Sequence, residues 1–264
     1  MNNDREIAVN VDRRFGGIAR LYGEKGLQAL QQAHICVVGV GGVGSWVAEA
    51  LARSAVGRIT LIDMDHVAES NINRQLQAMG STLGQSKIEL LAERISDINP
   101  ACEVVCVDEF LDPNNVTELI TQDFDWVIDC IDTFRIKAAL ISHCRRRKQS
   151  ILTVGGAGGR VDVSRVQLSD MRSTQQDALM ATTRRQLRKK HGFSDNIKRR
   201  FQVPCVWSSE PARLSQMQCD VQGDSSLNCA GFGACMPVTA TFAMLASAHV
   251  INKVTAVKLY GSKK

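Results

Sequence analysis

His34-Ile35-Cys36-Val37-Val38-Gly39-Val40-Gly41-Gly42-Val43-Gly44-Ser45-Trp46-Val47 is the stretch that decides the architecture. The apolar run His34 to Val38 has the length of a buried strand, glycines follow at once, and Trp46, Val47, Ala50 and Leu51 then recur at helical spacing between Ser45 and Arg53. Gly39, Gly41 and Gly44 form G-x-G-x-x-G, with Gly42 beside them, between that strand and that helix. Bare backbone N–H groups at a helix N-terminus can come close to a phosphate chain. The next apolar strand, Arg58 to Ile62, stops at Asp63, nineteen residues after Gly44, where a doubly wound sheet carries its ribose-binding carboxylate.

Working outward, a helix is predicted over Lys87 to Ile98, ending before Pro100, with strands over Cys102 to Asp108 and Trp126 to Ile131. A helix from Phe134 to Lys148 and a strand from Ile151 to Val154 follow. This alternation predicts an α/β fold: a Rossmann-like, doubly wound, mainly parallel sheet with right-handed crossovers. After Gly155-Gly156-Ala157-Gly158-Gly159 the alternating run Arg160 to Leu168 predicts antiparallel strand, which extends the sheet in the second half. The basic stretch Arg184 to Arg200 has weak helical periodicity around His191 and Gly192 and reads as a mobile insertion. Ala234 to Ile251 reads as a buried helix: it holds Pro237, Thr239, Thr241, Ser247 and His249 and falls short of the run of about 20 apolar residues that spans a bilayer. No integral membrane insertion is therefore expected. With neither internal repeats nor a low-complexity linker, residues 1–264 read as one domain, in which 14–160 is the nucleotide-binding core and 170–230 an insertion and crossover region.

A hydrophobic fraction of 44% and a charged fraction of 22% exclude a wholly disordered chain of this length. The first thirty residues mix Asp4, Arg5, Glu6, Asp12, Arg13 and Arg14 with no apolar core of a secretory signal, so a cytoplasmic location is expected. Nine cysteines, an odd number without such a signal, read as reduced thiols. The net charge of +5 is unevenly spread. Arg184, Arg185, Arg188, Lys189, Lys190, Lys198, Arg199 and Arg200 form one run, a candidate contact for nucleic-acid phosphates against the plainer reading of a solvated face. Arg145, Arg146, Arg147 and Lys148 form a second, read as favourable charge at a helix C-terminus.

Up to Asp63, a dinucleotide-dependent dehydrogenase explains the same residues. The next segment separates the readings. Asp63-Met64-Asp65 runs into Ser70-Asn71-Ile72-Asn73-Arg74-Gln75, and Lys87 arrives at a helix start after Gly84-Gln85-Ser86. A dehydrogenase has no need of cations clustered beyond its ribose carboxylate, whereas an enzyme that expels pyrophosphate needs them to stabilise developing negative charge. Asp129-Cys130-Ile131-Asp132 falls at the carboxyl edge of a strand, where a carboxylate can hold magnesium on phosphates. Taken singly, Asp132 reads equally as a helix cap and Arg74 as a surface ion pair; as a group in chain order they favour nucleotide chemistry. The candidate catalytic residues are Arg74, Lys87 and Asp132, the last also the metal ligand. The candidate nucleotide-binding residues are Gly39, Gly41, Gly42, Gly44, Asp63, Asp65, Asn71, Gln75 and Asp129.

Gly39-Val40-Gly41-Gly42-Val43-Gly44, Asp63-Met64-Asp65, Asn71 to Gln75, Lys87 and Asp129 to Asp132 together resemble the adenylation site of the superfamily that includes ubiquitin-activating enzymes and the bacterial activators of molybdopterin and thiamine sulfur carriers. The resemblance covers residues 14 to 160. It implies ATP and Mg2+ as cofactors, Asp63 on ribose, Asn71, Arg74 and Lys87 on the phosphates, Asp132 on magnesium, and a homodimer. The sulfur-carrier activators carry paired C-x-x-C motifs for zinc; here Cys205, Cys219, Cys229 and Cys235 are irregularly spaced, and no structural zinc is expected. Where those activators send an arginine into the partner's site, this chain has Gly17, with Arg14 and Arg20 as substitutes.

With the opening Arg14-Phe15-Gly16-Gly17-Ile18-Ala19-Arg20-Leu21-Tyr22-Gly23, the Gly155 to Gly159 strip and the late Asn228-Cys229-Ala230-Gly231-Phe232-Gly233, the chain is similar to one branch, the dehydratases that cyclise threonylcarbamoyladenosine in tRNA. That branch implies tRNA as partner, with a cysteine-desulfurase-type sulfur-transfer protein as a further one. Cys229, between Asn228 and a glycine-rich turn, reads as a small buried residue at a close backbone approach rather than as a reactive thiol near the carboxyl, and stays outside the catalytic set. Two other functions stand beside that of the dehydratases: adenylation of the C-terminal glycine of a ubiquitin-like sulfur carrier, and a nucleotide-regulated binding module without chemistry of its own.

Overall fold

A computed structural model describes residues 10–121, 123–196, 198–213 and 232–256. Seven strands form one sheet: β1 (His34–Val38), β2 (Arg58–Ile62), β3 (Glu103–Val107), β4 (Trp126–Asp129), β5 (Ile151–Val154), β6 (Val166–Asp170) and β7 (Pro204–Ser208). Their order is β3-β2-β1-β4-β5-β7-β6, parallel throughout except for β6, which runs antiparallel to β7. The near-continuous apolar runs of β1 and β2 follow from burial on both faces.

Alternation along β1 assigns the two faces. Ile35 and Val37 pack with α2 (Gly44–Arg53), α3 (Lys87–Ile98) and α7 (Met236–Val254) through Leu51, Leu91 and Phe242. Cys36 and Val38 face the other way, toward α5 (Phe134–Arg147) and α6 (Ala178–His191) through Leu140, Ile141 and Leu187. The short α4 (Val116–Leu119) joins that second layer through Val116. The doubly wound, mainly parallel sheet with an antiparallel addition in its second half is thus the fold the sequence predicts.

Several local expectations need correction. The fourth strand stops at Asp129 rather than Ile131, because the Asp129 carboxylate turns back to accept the Ile131 N–H at 3.1 Å. Strand pairing within Arg160 to Leu168 begins only at Val166; before it, Asp162 caps a turn of 3-10 helix over Val163–Arg165. The first part of the basic stretch is no mobile insertion. Residues 178–191 form a helix that Asp177 caps and that buries Leu179, Met180, Thr183 and Leu187 against the sheet, ending at Gly192 with φ of 72°.

The N-terminal helix, α1 (Val11–Gln32), bends at Gly23 and seats Phe15 and Leu27 on Ala55. Arg14 is committed within its own chain: it donates to the carbonyls of Asp97 and Ile98 at 2.6 and 2.8 Å, satisfying the carboxyl end of α3. Arg14 and Arg20 are both exposed. The late apolar segment is the helix α7, with Pro237 in its first turn. Among the described residues no helix is long and apolar enough to cross a membrane.

Candidate functional site

The strand order reverses between β1 and β4, and the loops that leave their carboxyl ends open a crevice there, the place where doubly wound sheets bind ligands. A cleft of about 340 Å³ occupies it. Gly39, Gly41, Gly42, Asp63, Asp65, Asn71, Arg74, Gln75, Lys87 and Asp132 all line this cleft. Two of the sequence candidates do not. Gly44 is set back from the cleft, and any Cβ there would run into the carbonyl oxygen of Gly39, so the turn itself requires this glycine. Asp129 is fully buried below the cleft.

The carboxyl end of β2 tethers the glycine loop. Asp63 accepts the Val40 N–H at 2.7 Å and the Asp65 N–H at 2.9 Å through its two oxygens. Burial pushes the Asp63 carboxyl up, and those two N–H groups and the Lys87 charge oppose it. Asp65 in turn fixes Lys87, whose ammonium donates to its Oδ2 at 2.7 Å and is nearly buried, while the first N–H of α3 donates to the Asp65 carbonyl at 3.1 Å. Lys87 therefore stands at a helix N-terminus as a fixed cation rather than a freely moving surface lysine.

Arg74 makes no ion pair among the described residues. Its Nη1 donates to the Ser70 carbonyl at 2.6 Å and to Asn73 Oδ1 at 3.0 Å, and burial lowers its proton affinity against the pull of the Asp132 charge. The backbone around it is pinned, since Trp46 Nε1 donates to the Arg74 carbonyl at 3.0 Å and Asn73 Nδ2 to that of Ala234 at 2.8 Å. Asn71 spends its Oδ1 on the Ala68 N–H at 3.1 Å, which shapes the turn that presents Arg74. Gln75 Oε1 is buried with no partner in the protein, an acceptor the cleft leaves open.

Asp132 does not cap α5. The N-cap is Thr133, no side chain bonds there, and the Asp132 carboxylate is exposed with a single long contact, from Thr133 Oγ1 at 3.4 Å. Below it lies a group the sequence reasoning missed. Lys137 and Asp129 are both 0% exposed and form an ion pair of 2.8 Å. Lys137 Nζ also donates to Thr153 Oγ1 at 3.1 Å, and Thr153 Oγ1 donates to Asp129 Oδ2 at 2.7 Å. Asp129 thus anchors the loop that carries Asp132, with its other oxygen on the Ile131 N–H.

A second missed cluster builds the far wall. Asp177 accepts the Met180 N–H at 2.9 Å as the cap of α6 and the Gly156 N–H at 3.0 Å, and a Cβ on Gly155 would strike its Oδ2. Arg160, nearly buried, donates to the carbonyls of Gly156, Gly158 and Gln176 and faces Asp177 at 3.8 Å. Burial raises the Asp177 carboxyl and lowers Arg160, each opposed by the charge of the other. The signal available in the sequence was the glycine strip itself, which has to accommodate something bulky and charged.

Cysteine chemistry finds no support at the floor. Burial pushes the Cys130 thiol up to about 12, with the Asp129 charge acting in the same direction. Cys205 is buried and Cys235 Sγ lies against the Arg160 carbonyl, while Cys219 and Cys229 fall outside the described residues. Among the described residues no three of His, Cys, Asp and Glu converge as metal ligands.

The family model described as ThiF family matches residues 15–263. The tRNA threonylcarbamoyladenosine dehydratases of Haemophilus influenzae and Escherichia coli are each 48% identical to this chain, over 92% of it and 94% of their own lengths. Solved structures of the Escherichia coli tRNA N6-threonylcarbamoyladenosine dehydratase in complex with AMP and with ATP superpose with TM-scores of 0.86 and 0.85, at 48% and 47% identity, over 93% of this chain and 95% of theirs.

Proposed function

The chain belongs to the ThiF family, and on that premise we propose that it dehydrates threonylcarbamoyladenosine in tRNA, using ATP, through an acyl-adenylate. The observation that carries this reading is one cleft lined by the glycine loop, Asp63, Arg74, Lys87 and Asp132, in a chain 48% identical over most of its length to dehydratases of that name.

The chemistry follows from what the site residues can do. A carboxylate is a poor electrophile. When the threonyl carboxylate attacks the α-phosphorus of ATP, an oxygen–phosphorus bond forms, the bond to pyrophosphate breaks, and Arg74 and Lys87 stabilise the charge that gathers on the leaving group. Both cations are held in place beforehand, Lys87 by Asp65 and Arg74 by Ser70 and Asn73, so little reorganisation accompanies the step. Asp63, on the loop end of β2, is the residue for the ribose.

Magnesium, when bound, would neutralise phosphate charge. The exposed carboxylate of Asp132 at the cleft fits such an ion, which takes one or two carboxylates together with substrate phosphates. The second half-reaction needs no protein nucleophile. A nucleophile in the same modified side chain attacks the activated acyl carbon, the ring closes, and the carboxyl oxygen departs on AMP, so the nucleoside loses the mass of one water. Proximity within one side chain can contribute about 7 to 11 kcal/mol to such a closure.

The same reading treats residues 1–264 as one adenylating domain and gives the protein a cytoplasmic location beside its tRNA. It also has the protein act as a homodimer, for which Leu21 on α1 and Met244 on α7 offer exposed apolar side chains, and it admits a cysteine-desulfurase-type partner that enters none of the steps above. The test is AMP release from ATP with tRNA carrying threonylcarbamoyladenosine, the same tRNA without it, and a ubiquitin-like sulfur carrier. Release with the modified tRNA alone is expected. Release with the carrier alone would replace this function by sulfur-carrier adenylation.

A further inference from the structure

Three basic clusters, Arg145 to Lys148 and two within the stretch Arg188 to Arg200, meet at one end of the molecule, the end away from the cleft. Thr133 and Ile136 at the start of α5, and Ala178 and Leu179 at the start of α6, line the cleft, so both helices run outward from it. A helix of 14 residues, the length of each, carries the chain about 21 Å. At their far ends stand Arg145, Arg146 and Arg147, followed by Lys148, and Arg188, Lys189 and Lys190.

The segment after α6 ties the two ends together. Arg188 and Arg172 lie over the Phe201 ring at 5.5 and 5.8 Å, and Phe201 meets Phe193 edge to face at 5.0 Å. The next residue, Gln202, accepts from Arg145 Nη2 at 2.6 Å. Lys198, Arg199 and Arg200 therefore adjoin both helix ends and add a third run. His191 has its proton affinity lowered by burial and then by the charges of Arg146 and Lys190, in keeping with the two helix ends being neighbours.

Favourable interaction with helix dipoles explains a cation or two at each helix end but not this convergence, since Lys198 to Arg200 belong to neither helix. Among the described residues the one ion pair these three runs make is Arg188 to Asp195 at 3.5 Å. With Asp195 beside Arg188 and Asp170 holding the Phe201 and Gln202 N–H groups, the cations here still outnumber the acids and repel one another, and a polyanion laid across them relieves that repulsion. We propose that this face, formed jointly by the C-terminal ends of α5 and α6 and residues 198–200, is the docking surface for the tRNA sugar-phosphate backbone about 20 Å from the reacting nucleotide. The proposal rests on the functional reading above and extends it: the run Arg145 to Lys148 becomes part of the RNA contact, and α6 links docking to chemistry, because its cap Asp177 holds the Gly155-Gly156 wall of the cleft.

The test uses the full protein and two charge-removal variants on different runs, Arg146→Ala/Arg147→Ala/Lys148→Ala and Lys189→Ala/Lys190→Ala, with ATP binding as the control for folding. Tightness of tRNA binding is followed against salt. Removing one cation that neutralises a phosphate flattens the slope of log K against log salt by about 0.7 to 0.9. The double variant is expected to flatten the slope by roughly 1.4 to 1.8 and the triple by roughly 2.1 to 2.7, and each to raise the KM for tRNA about tenfold or more and to leave ATP binding and kcat at saturating tRNA within twofold of the parent. Unchanged KM and slope in both variants, with a parent that dehydrates tRNA, would overturn the docking face alone. A parent that adenylates a ubiquitin-like carrier and ignores tRNA would overturn the functional reading and this face with it. Tight binding to vesicles of anionic lipid, with none to tRNA, would assign the face to a membrane instead.

Discussion

Replacing Lys137 by Met should destabilise the protein sharply, and the size of the effect follows from the surroundings of its ammonium. Lys137 and Asp129 are both completely buried, and among the described residues the ammonium is the single positive charge that hydrogen-bonds the Asp129 carboxylate. Methionine fills a similar volume, so the variant removes the charge without opening a large cavity. Breaking a buried pair from one side typically costs about 3 to 5 kcal/mol, because the remaining charge is left uncompensated. Thr153 Oγ1 and the Ile131 N–H still donate to Asp129, which places the expected loss near the lower figure, about 3 kcal/mol. In a chain of this size that corresponds to a fall in Tm of roughly 6 to 12 °C. Urea denaturation followed by circular dichroism measures it, and the double variant Lys137→Met/Asp129→Asn should recover more than half of the loss, since the stranded charge is gone. A single-variant loss below about 1 kcal/mol, or a double variant whose losses simply add, would refute the reasoning.

Lys87→Ala should lower the rate of AMP formation about 100- to 1000-fold at saturating ATP, as expected when one fixed charge stabiliser is removed, with little change in Tm; a loss under tenfold in single-turnover assays would remove Lys87 from the chemical step. Gly44→Ala should abolish ATP binding in calorimetry, because the added methyl collides with the Gly39 carbonyl and displaces the glycine loop, and ATP binding like the parent's would contradict that packing. Acid stability should depend on Glu49. Burial alone would raise its carboxyl, but hydrogen bonds from Arg94 and Arg53 more than reverse this and leave it below the usual value. A carboxylate depressed in the folded state contributes stability that is full above its unfolded value, about pH 4.3, and is lost as pH falls through the folded one. Urea midpoints measured between about pH 6 and about pH 3 should therefore fall less steeply for Arg94→Ala than for the parent; equal slopes would exclude the contribution.

The sheet was legible because its inner strands, β1 and β2 among them, are buried on both faces and so read as short unbroken apolar runs, and the glycine loop was legible because Gly44 has no alternative to glycine. The cleft residues from Asp63 to Lys87 could be found because they follow one another in chain order between the end of β2 and the first residue of α3. What escaped notice depends on contacts between segments distant in sequence. Asp129 has the spacing of a ligand-binding carboxylate, and only the approach of Lys137 and Thr153 shows that its charge is already used. A hint existed: Lys137 stands three and four residues before Leu140 and Ile141, on the buried face of α5, where a cation requires a carboxylate partner. Arg14 was ambiguous for the same reason, since nothing local reveals that the end of α3 lies beside it. The meeting of the basic runs around Phe201 likewise has no trace in their spacing.

The most direct measurement of the central claim is mass analysis of nucleosides from tRNA bearing threonylcarbamoyladenosine after incubation with the protein, ATP and magnesium. The account predicts that the modified nucleoside loses the mass of one water, that AMP appears in equal amount, and that neither occurs with the Lys87→Ala protein. AMP formation with no change in nucleoside mass, or loss of water without ATP, would contradict it.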